Sequence, residues 1–323
     1  MDGNYAVAIT GHEQAELIEV DAPRSLNKNE IRSRTITSLI SPGTELNACY
    51  NREKGFPIFP GYAAVCEIEE MGDEVEELSI GDKVYLAGNH RSVIIKEASY
   101  CTLIPESISP QIAVIARLMQ ISMTSLITTE ARPGDSIIVS GFGPVGYLAA
   151  HMFLISGYNV TVVEPNAERR NLAINSGIEK AFEYMPLEKG ALQEEISLVV
   201  ECSGHEQALL DALKVVRRNS EVIMVGVPWK KQTDISGHEI LWEVFHNYVK
   251  LRTGWEHELP VHSSNTAPHS LMKNINTALT WLNTNRIPLK ETIRTHHPKD
   301  ANEAYQGHLL HTEKELFSIF TWD

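Results

Sequence analysis

Ser140-Gly141-Phe142-Gly143-Pro144-Val145-Gly146 is the stretch on which the reading of this chain turns. It is a G-x-G-x-x-G run placed directly after an apolar segment of strand length, Ser136-Ile137-Ile138-Val139-Ser140, and before a helical period. The three glycines meet three separate demands: Gly141 a tight turn, Gly143 a close approach of backbone to a pyrophosphate, and Gly146 close packing of the helix on the strand. Pro144 and Val145 open a helix whose unpaired N–H groups and positive dipole end face the phosphates. The spacing therefore predicts a dinucleotide site.

Working outward, a second strand, Val160-Thr161-Val162-Val163, ends at Glu164, 18 positions beyond Gly146. A carboxylate there accepts hydrogen bonds from the adenosine ribose and repels a 2′-phosphate, so it favours NAD over NADP. Arg169 and Arg170 leave a second reading open, either as a seat for that phosphate or as solvated residues on the helix beginning near Asn166. Further strands are expected at Leu198-Glu201, Glu221-Val225 and Val249-Arg252, with a shorter sixth at Lys180-Tyr184. Near-continuous Val and Ile suits strands covered by helices on both faces. The turns after two of them, Cys202-Ser203-Gly204 and Gly226-Val227, stand where the carboxyl ends of parallel strands bind ligand, and each is equally readable as a plain turn.

Before about residue 115 the pattern changes to short alternating runs such as Ala63-Glu69 and Lys83-Ala87, which predict a mostly β domain. The fold class is thus α/β: a β-rich domain plus a doubly wound parallel sheet, as a chain of 323 residues allows. A helix around Ser270 to Asn283 and a closing strand, Leu316-Phe320, that returns to the first domain complete the reading.

A formal net charge of -14 disfavours nucleic acid as a partner. The four cysteines, Cys49, Cys66, Cys101 and Cys202, form no C-x-x-C pair and read as reduced thiols. The start of the chain lacks the apolar core of a signal peptide, and no stretch reads as a membrane span, so a soluble cytoplasmic protein with no membrane partner is expected.

With these pieces placed, the whole chain resembles the medium-chain dehydrogenase/reductase superfamily. The resemblance rests on Pro60-Gly61-Tyr62, Met71-Gly72-Asp73, Gly81-Asp82-Lys83-Val84, Arg132-Pro133-Gly134-Asp135, the Gly-rich turn and Asp300-Ala301-Asn302-Glu303-Ala304-Tyr305. Ser41-Pro42-Gly43-Thr44-Glu45 is most similar to the branch containing bacteriochlorophyllide a dehydrogenase and threonine-dehydrogenase-like proteins. The resemblance implies a GroES-like catalytic domain over 1–118 and 288–323, a Rossmann domain over 119–287, and a homodimer paired through the edge strand at Val249 to Gly254.

Zinc members of the family carry ligands where this chain has Pro42, Tyr62 and Arg117, so no zinc is expected. His257 with His262, and His296 with His297, are the places an unorthodox site could form, and surface histidine is the plainer reading. Without the metal, another group must handle the hydroxyl proton and the oxyanion. Thr44 aligns with the family's substrate-binding Ser/Thr; Tyr62, its pKa lowered by Arg117, could be acid or base; Glu45 and His90 could complete a relay. The structural alternatives are that Tyr62 fills the volume left by zinc, Arg117 pairs with Glu45, and His90 is a loop residue. Asn47, Asn51, Arg52, Asn89, His90 and Arg91 would put polar groups near the cleft. The expected function is NAD(H)-dependent, zinc-independent hydride transfer on a secondary alcohol or ketone of a polar small molecule such as a sugar, cyclitol or amino alcohol. The alternatives are a quinone or enone reductase and a non-catalytic NAD(H)-binding protein.

Overall fold

The computed structural model describes residues 3–188 and 195–322. Along the chain come β1 (Tyr5–Gly11), β2 (Gln14–Glu19), β3 (Glu30–Ile40), α1 (Pro42–Glu45), β4 (Ala64–Met71), β5 (Lys83–Leu86), β6 (Val93–Glu97) and β7 (Cys101–Leu103). Helices α2 (Pro110–Ala113) and α3 (Ala116–Thr128) lead into β8 (Ser136–Ser140), α4 (Pro144–Ile155), β9 (Asn159–Val163), α5 (Ala167–Asn175) and β10 (Lys180–Phe182). Then follow β11 (Ile196–Glu201), α6 (Glu206–Val215), β12 (Glu221–Met224), α7 (Gly237–His246), β13 (Lys250–Thr253), α8 (Leu271–Asn283), β14 (Ile293–His296), α9 (Ala301–Leu309) and β15 (Phe317–Thr321).

Contacts divide the chain into two units. The first comprises Met1–Arg117, Ile275–Asn285 and Leu289–Asp323; the second comprises Leu118–Asn274 and Arg286–Pro288. The second unit holds a six-stranded parallel sheet in the order β10-β9-β8-β11-β12-β13, the doubly wound arrangement that the alternation of strand and helix predicts. Every residue of β11 is buried, as a central strand covered on both faces requires. Helix α4 is buried from Gly146 to Phe153 and apolar on all sides, the pattern of a core helix rather than an amphipathic surface one. Expected strand limits move by one or two residues: the strand foreseen at Lys180-Tyr184 stops at Phe182, and that at Glu221-Val225 stops at Met224.

The first unit is built on a seven-stranded sheet in the order β14-β15-β3-β4-β5-β7, with β6 also on β3, beside the β1-β2 hairpin. The closing strand does return to this unit: β15 pairs antiparallel with β3, placing Ser318 opposite Ile40. Its aromatic core sets Tyr50 against Tyr305, ring centroids 5.1 Å apart and nearly parallel, with Phe320 beside them. One expectation needs correction. The helical run Pro110–Thr128 is long and apolar enough to cross a membrane by length and composition, and 61% of that stretch is buried inside the protein, as in a core helix.

Candidate functional site

In the second unit the Gly-rich turn has the geometry its sequence calls for. Gly141 has φ +85° and its N–H donates to the Val163 carbonyl at 2.8 Å, tying the turn to β9. A Cβ on Gly146 would stand 1.9 Å from the Gly141 carbonyl oxygen, so no side chain fits there. Gly143 is different: an added Cβ meets only the Arg169 guanidinium, at 3.9 Å, leaving its outer face open as a cradle. It is the N-cap of α4, Pro144 presets the first turn, and no side chain caps the N–H groups behind it. The Val145 carbonyl accepts from Ser122 at 3.2 Å, which seats that turn on α3. An uncapped helix end behind an open glycine fits the pyrophosphate of a dinucleotide.

Glu164 is buried at the end of β9, where its carboxylate accepts the N–H of Phe142 at 2.7 Å and of Asn166 at 2.9 Å. Those two bonds fix the carboxylate against the Gly-rich turn and leave lone pairs for a ribose. The two arginines separate clearly. Arg170 is committed to the carbonyls of Glu164 and Pro165 and to Glu183, whereas the exposed Arg169 guanidinium lies beside Gly143 with no hydrogen bond or ion pair among the described residues.

The later turns are held by Glu201, which ends β11. Its carboxylate accepts the N–H of Ser203 at 2.7 Å and of Gly204 at 3.0 Å, and the Ser203 hydroxyl. Burial outweighs those bonds and raises its pKa. Gly226 packs so closely on this turn that a Cβ would stand 2.3 Å from the Gly204 nitrogen, while Val227 is exposed. Cys202 contributes backbone rather than chemistry, since burial pushes its thiol well above the ordinary range.

In the first unit the structure groups the other candidates into two clusters. Ser41 is the N-cap of α1, yet its hydroxyl makes no bond to the helix. Glu45 ties the cap instead. Its Oε1 accepts the Ser41 N–H at 2.8 Å, while the Glu45 N–H donates to the Ser41 carbonyl. The Ser41 hydroxyl is thereby left to accept from the Tyr62 phenol at 2.5 Å. Thr44 also reaches the phenol, and the Arg117 guanidinium lies over the Tyr62 ring, 4.7 Å from its centre. Tyr62 is aimed by Gly61, whose φ is +94° and whose absent Cβ would lie 2.7 Å from the His90 nitrogen. Ser41, Thr44, Tyr62 and Arg117 thus form one half-buried hydroxyl cluster with a cation behind the ring.

The second cluster is fully buried. His90 Nε2 donates to Glu45 Oε2 at 3.0 Å, and Tyr305 donates to the same oxygen at 2.5 Å. The Trp322 indole donates to Ser38 Oγ at 2.9 Å, and Ser38 Oγ stands 2.8 Å from His90 Nδ1. With a ring proton on Nε2 every group is satisfied, because Ser38 then donates to Nδ1. Glu45 is 1% exposed and His90 0% exposed. This corrects the expected relay: Glu45 touches Ser41 through the backbone N–H, so the buried cluster does not reach the Tyr62 hydroxyl through side chains.

One further expectation changes. Arg117 does not lower the Tyr62 pKa below its ordinary value; burial dominates and raises it, with the Ser41 bond and Arg117 offsetting only part. The Arg117 guanidinium lies over the Tyr62 ring. The sequence reading misses Ser38, Ser41, Tyr305 and Trp322 as site residues. Ser41 lies inside the Ser41–Glu45 run, but Tyr305 reaches Glu45 across 260 positions with no local signal.

A catalytic zinc does not fit these residues. Proline offers no donor, a guanidinium repels a cation, and the Tyr62 phenol is held protonated. Among the described residues no group of three His, Cys, Asp or Glu side chains is placed to hold a metal, His296 and His297 included.

Comparison with known proteins agrees with this architecture. A family model described as zinc-binding dehydrogenase matches residues 144–250. An alcohol dehydrogenase of Moraxella sp. (strain TAE123) is 23% identical over 212 residues, 53% of this chain and 62% of that protein. The chain thus spans about three-fifths of the length of the first curated relatives it matches, 62% and 60%. Among solved structures, galactitol-1-phosphate dehydrogenase from Escherichia coli superposes with a TM-score of 0.83 at 14% identity, covering 98% of this chain and all of that one. Acetophenone reductase from Geotrichum candidum in complex with NAD gives 0.80 at 13% identity, covering 100% of this chain and 98% of that one. By the Gly-rich turn, the dehydrogenase relatives and the end-to-end match of fold, the chain is similar to dehydrogenases of the medium-chain dehydrogenase/reductase superfamily.

Proposed function

We propose that this protein is an NAD(H)-dependent oxidoreductase that acts, without zinc, on a secondary alcohol or ketone of a polar small molecule. The observation that carries the reading is the Ser41–Thr44–Tyr62–Arg117 cluster, two members of which, Tyr62 and Arg117, hold positions at which the resemblance puts metal ligands. When bound, the nicotinamide supplies or accepts the hydride. The chain must then hold the substrate oxygen and move one proton. Burial keeps Tyr62 protonated at neutral pH, so it serves as a donor to a carbonyl oxygen on which charge develops. Ser41 can reverse from acceptor to donor as Tyr62 gives up its proton, and the Arg117 cation behind the ring stabilises the phenolate that results. This arrangement favours carbonyl reduction near neutral pH.

The preference for NAD(H) rests on Glu164, fixed against the turn. One observation favours a second reading, an NADPH-using enone or quinone reductase: the uncommitted Arg169 guanidinium beside Gly143. Titration with NADH and with NADPH, followed by nicotinamide fluorescence on protein whose zinc content has been measured, separates the two. Tighter NADH binding with no zinc supports the first reading. Tighter NADPH binding supports the second, and about one zinc per chain overturns the metal-free reading altogether.

The reading includes a homodimer formed through β13. Among the described residues that strand is hydrogen-bonded to β12 alone, leaving one edge open. Helix α7 packs Ile240 and Val244 against the core while Leu241, Trp242 and Phe245 stay 68%, 51% and 75% exposed. An apolar face of that size on one helix calls for a cover.

A further inference from the structure

Two claims compete for the Ser41 hydroxyl. The residue stands at the N-cap of α1, where a serine ordinarily turns its oxygen to a backbone N–H of the first turn. The same oxygen lies 2.5 Å from the Tyr62 phenol, from which it accepts. The backbone shows why the phenol wins. The Ser41 carbonyl accepts the N–H groups of Thr44 and Glu45, at 3.1 and 2.8 Å, and the Ser41 N–H donates to Glu45 Oε1 at 2.8 Å. With both backbone groups engaged, the residue is held against α1 and its hydroxyl points to Tyr62 instead of along the helix.

Glu45 is itself held from elsewhere. A carboxylate this deeply buried requires donors at both oxygens. Oε1 has the Ser41 N–H, and Oε2 has the Tyr305 hydroxyl at 2.5 Å and His90 Nε2 at 3.0 Å. Tyr305 belongs to α9, which is seated by other residues of that helix. Asn302 Oδ1 accepts the Ala15 N–H and the Tyr50 hydroxyl, each at 2.9 Å, and the Gln306 amide donates to the Tyr50 hydroxyl at 2.8 Å. The Tyr305 ring stacks on Tyr50 with centroids 5.1 Å apart. An independently anchored helix thus delivers one hydroxyl to the carboxylate that fixes Ser41.

We propose that Tyr305 is a positioning residue: through Glu45 it keeps the Ser41 hydroxyl on the Tyr62 phenol. Because the link from Glu45 to Ser41 runs through a backbone N–H, it carries no proton; it carries position. The consequence for turnover rests on the reading of Tyr62 as proton donor, whereas the placement of the phenol stands apart from it. Without the Tyr305 hydroxyl, Oε2 loses its shorter bond, the carboxylate turns, the Ser41 N–H is released and the serine reverts to capping α1.

NMR of the full chain carrying tyrosine isotope-labelled at Cζ tests this without a substrate, since that carbon bears the phenol oxygen and its resonance follows the hydrogen bond. Tyr62→Phe identifies the Tyr62 signal among the ten tyrosines, and Ser41→Ala shows where that signal lies when the acceptor is gone. Tyr305→Phe keeps the ring on Tyr50 and removes only the hydroxyl. It should move the Tyr62 signal in the Ser41→Ala direction, by about half that displacement or more. Glu45→Asp, one methylene too short to span Ser41 and Tyr305 together, should move it in the same sense. Tyr50→Phe is the control: it removes the bonds to Asn302 and Gln306 that seat α9 and leaves the Tyr305 hydroxyl on Glu45, so the Tyr62 signal should stay in place. The inference is overturned if Tyr305→Phe or Glu45→Asp leaves the Tyr62 signal at its natural position, or if Tyr50→Phe moves it as far as Tyr305→Phe does, since α9 would then act by packing alone. Failure of the proton-donor reading is a different result, full turnover in Tyr62→Phe, and is read without this signal.

Discussion

Tyr62 is the residue on which the proposed reaction turns. Burial raises its pKa, so the phenol is protonated below that value and reductive turnover should stay level through neutral pH. It should fall only on the alkaline side, above the ordinary phenol range of about 10. Tyr62→Phe should lower kcat for carbonyl reduction by about a hundredfold or more, with cofactor affinity unchanged, if the phenol is the proton donor. Full turnover in that variant would remove tyrosine from the reaction. Gly146 permits a sharper expectation, because a Cβ there would stand 1.9 Å from the Gly141 carbonyl oxygen. Gly146→Ala should abolish NADH binding, measured by nicotinamide fluorescence, while circular dichroism reports whether the sheet survives.

At the scale of elements, α4 carries a titratable group in its core. His151 is 2% exposed, shares a hydrogen bond with Ser176 at 3.1 Å, and has its pKa lowered by burial from 6.5 to about 4. The unfolded chain takes up this proton first as pH falls, so the neutral ring contributes stability above about pH 6.5 that is lost between pH 6.5 and about 4. The loss amounts to about 3 kcal/mol for a shift of this size. Urea unfolding of His151→Gln should show a correspondingly shallower decline over that window; an unchanged decline would place the acid sensitivity elsewhere. Helix α1 shows the converse economy, with Glu45 satisfying the N-cap backbone so that the Ser41 hydroxyl is available to Tyr62.

For the whole molecule, the proposed dimer is the testable assembly. Phe245→Glu, on the 75% exposed position of α7, should shift sedimentation equilibrium toward monomer with NADH binding retained. A natural chain that sediments as a monomer would show that β13 and α7 face solvent or another partner.

By itself the sequence determined the parallel sheet, its six strands, the Gly-rich turn and Glu164, because each follows from residues near one another in the chain: period, glycine spacing and strand end. The likeness of motifs implies, as an expectation, that Pro42, Tyr62 and Arg117 stand at metal-ligand positions. Tertiary structure alone decided what those residues touch. That Arg117 lies over Tyr62, whether Glu45 and His90 form a relay or a buried brace, and that Tyr305 and Trp322 complete that brace depend on contacts spanning up to 284 positions. The sign of the Tyr62 shift is decided there too, because desolvation is a property of the packed site and no local pattern in the chain encodes it.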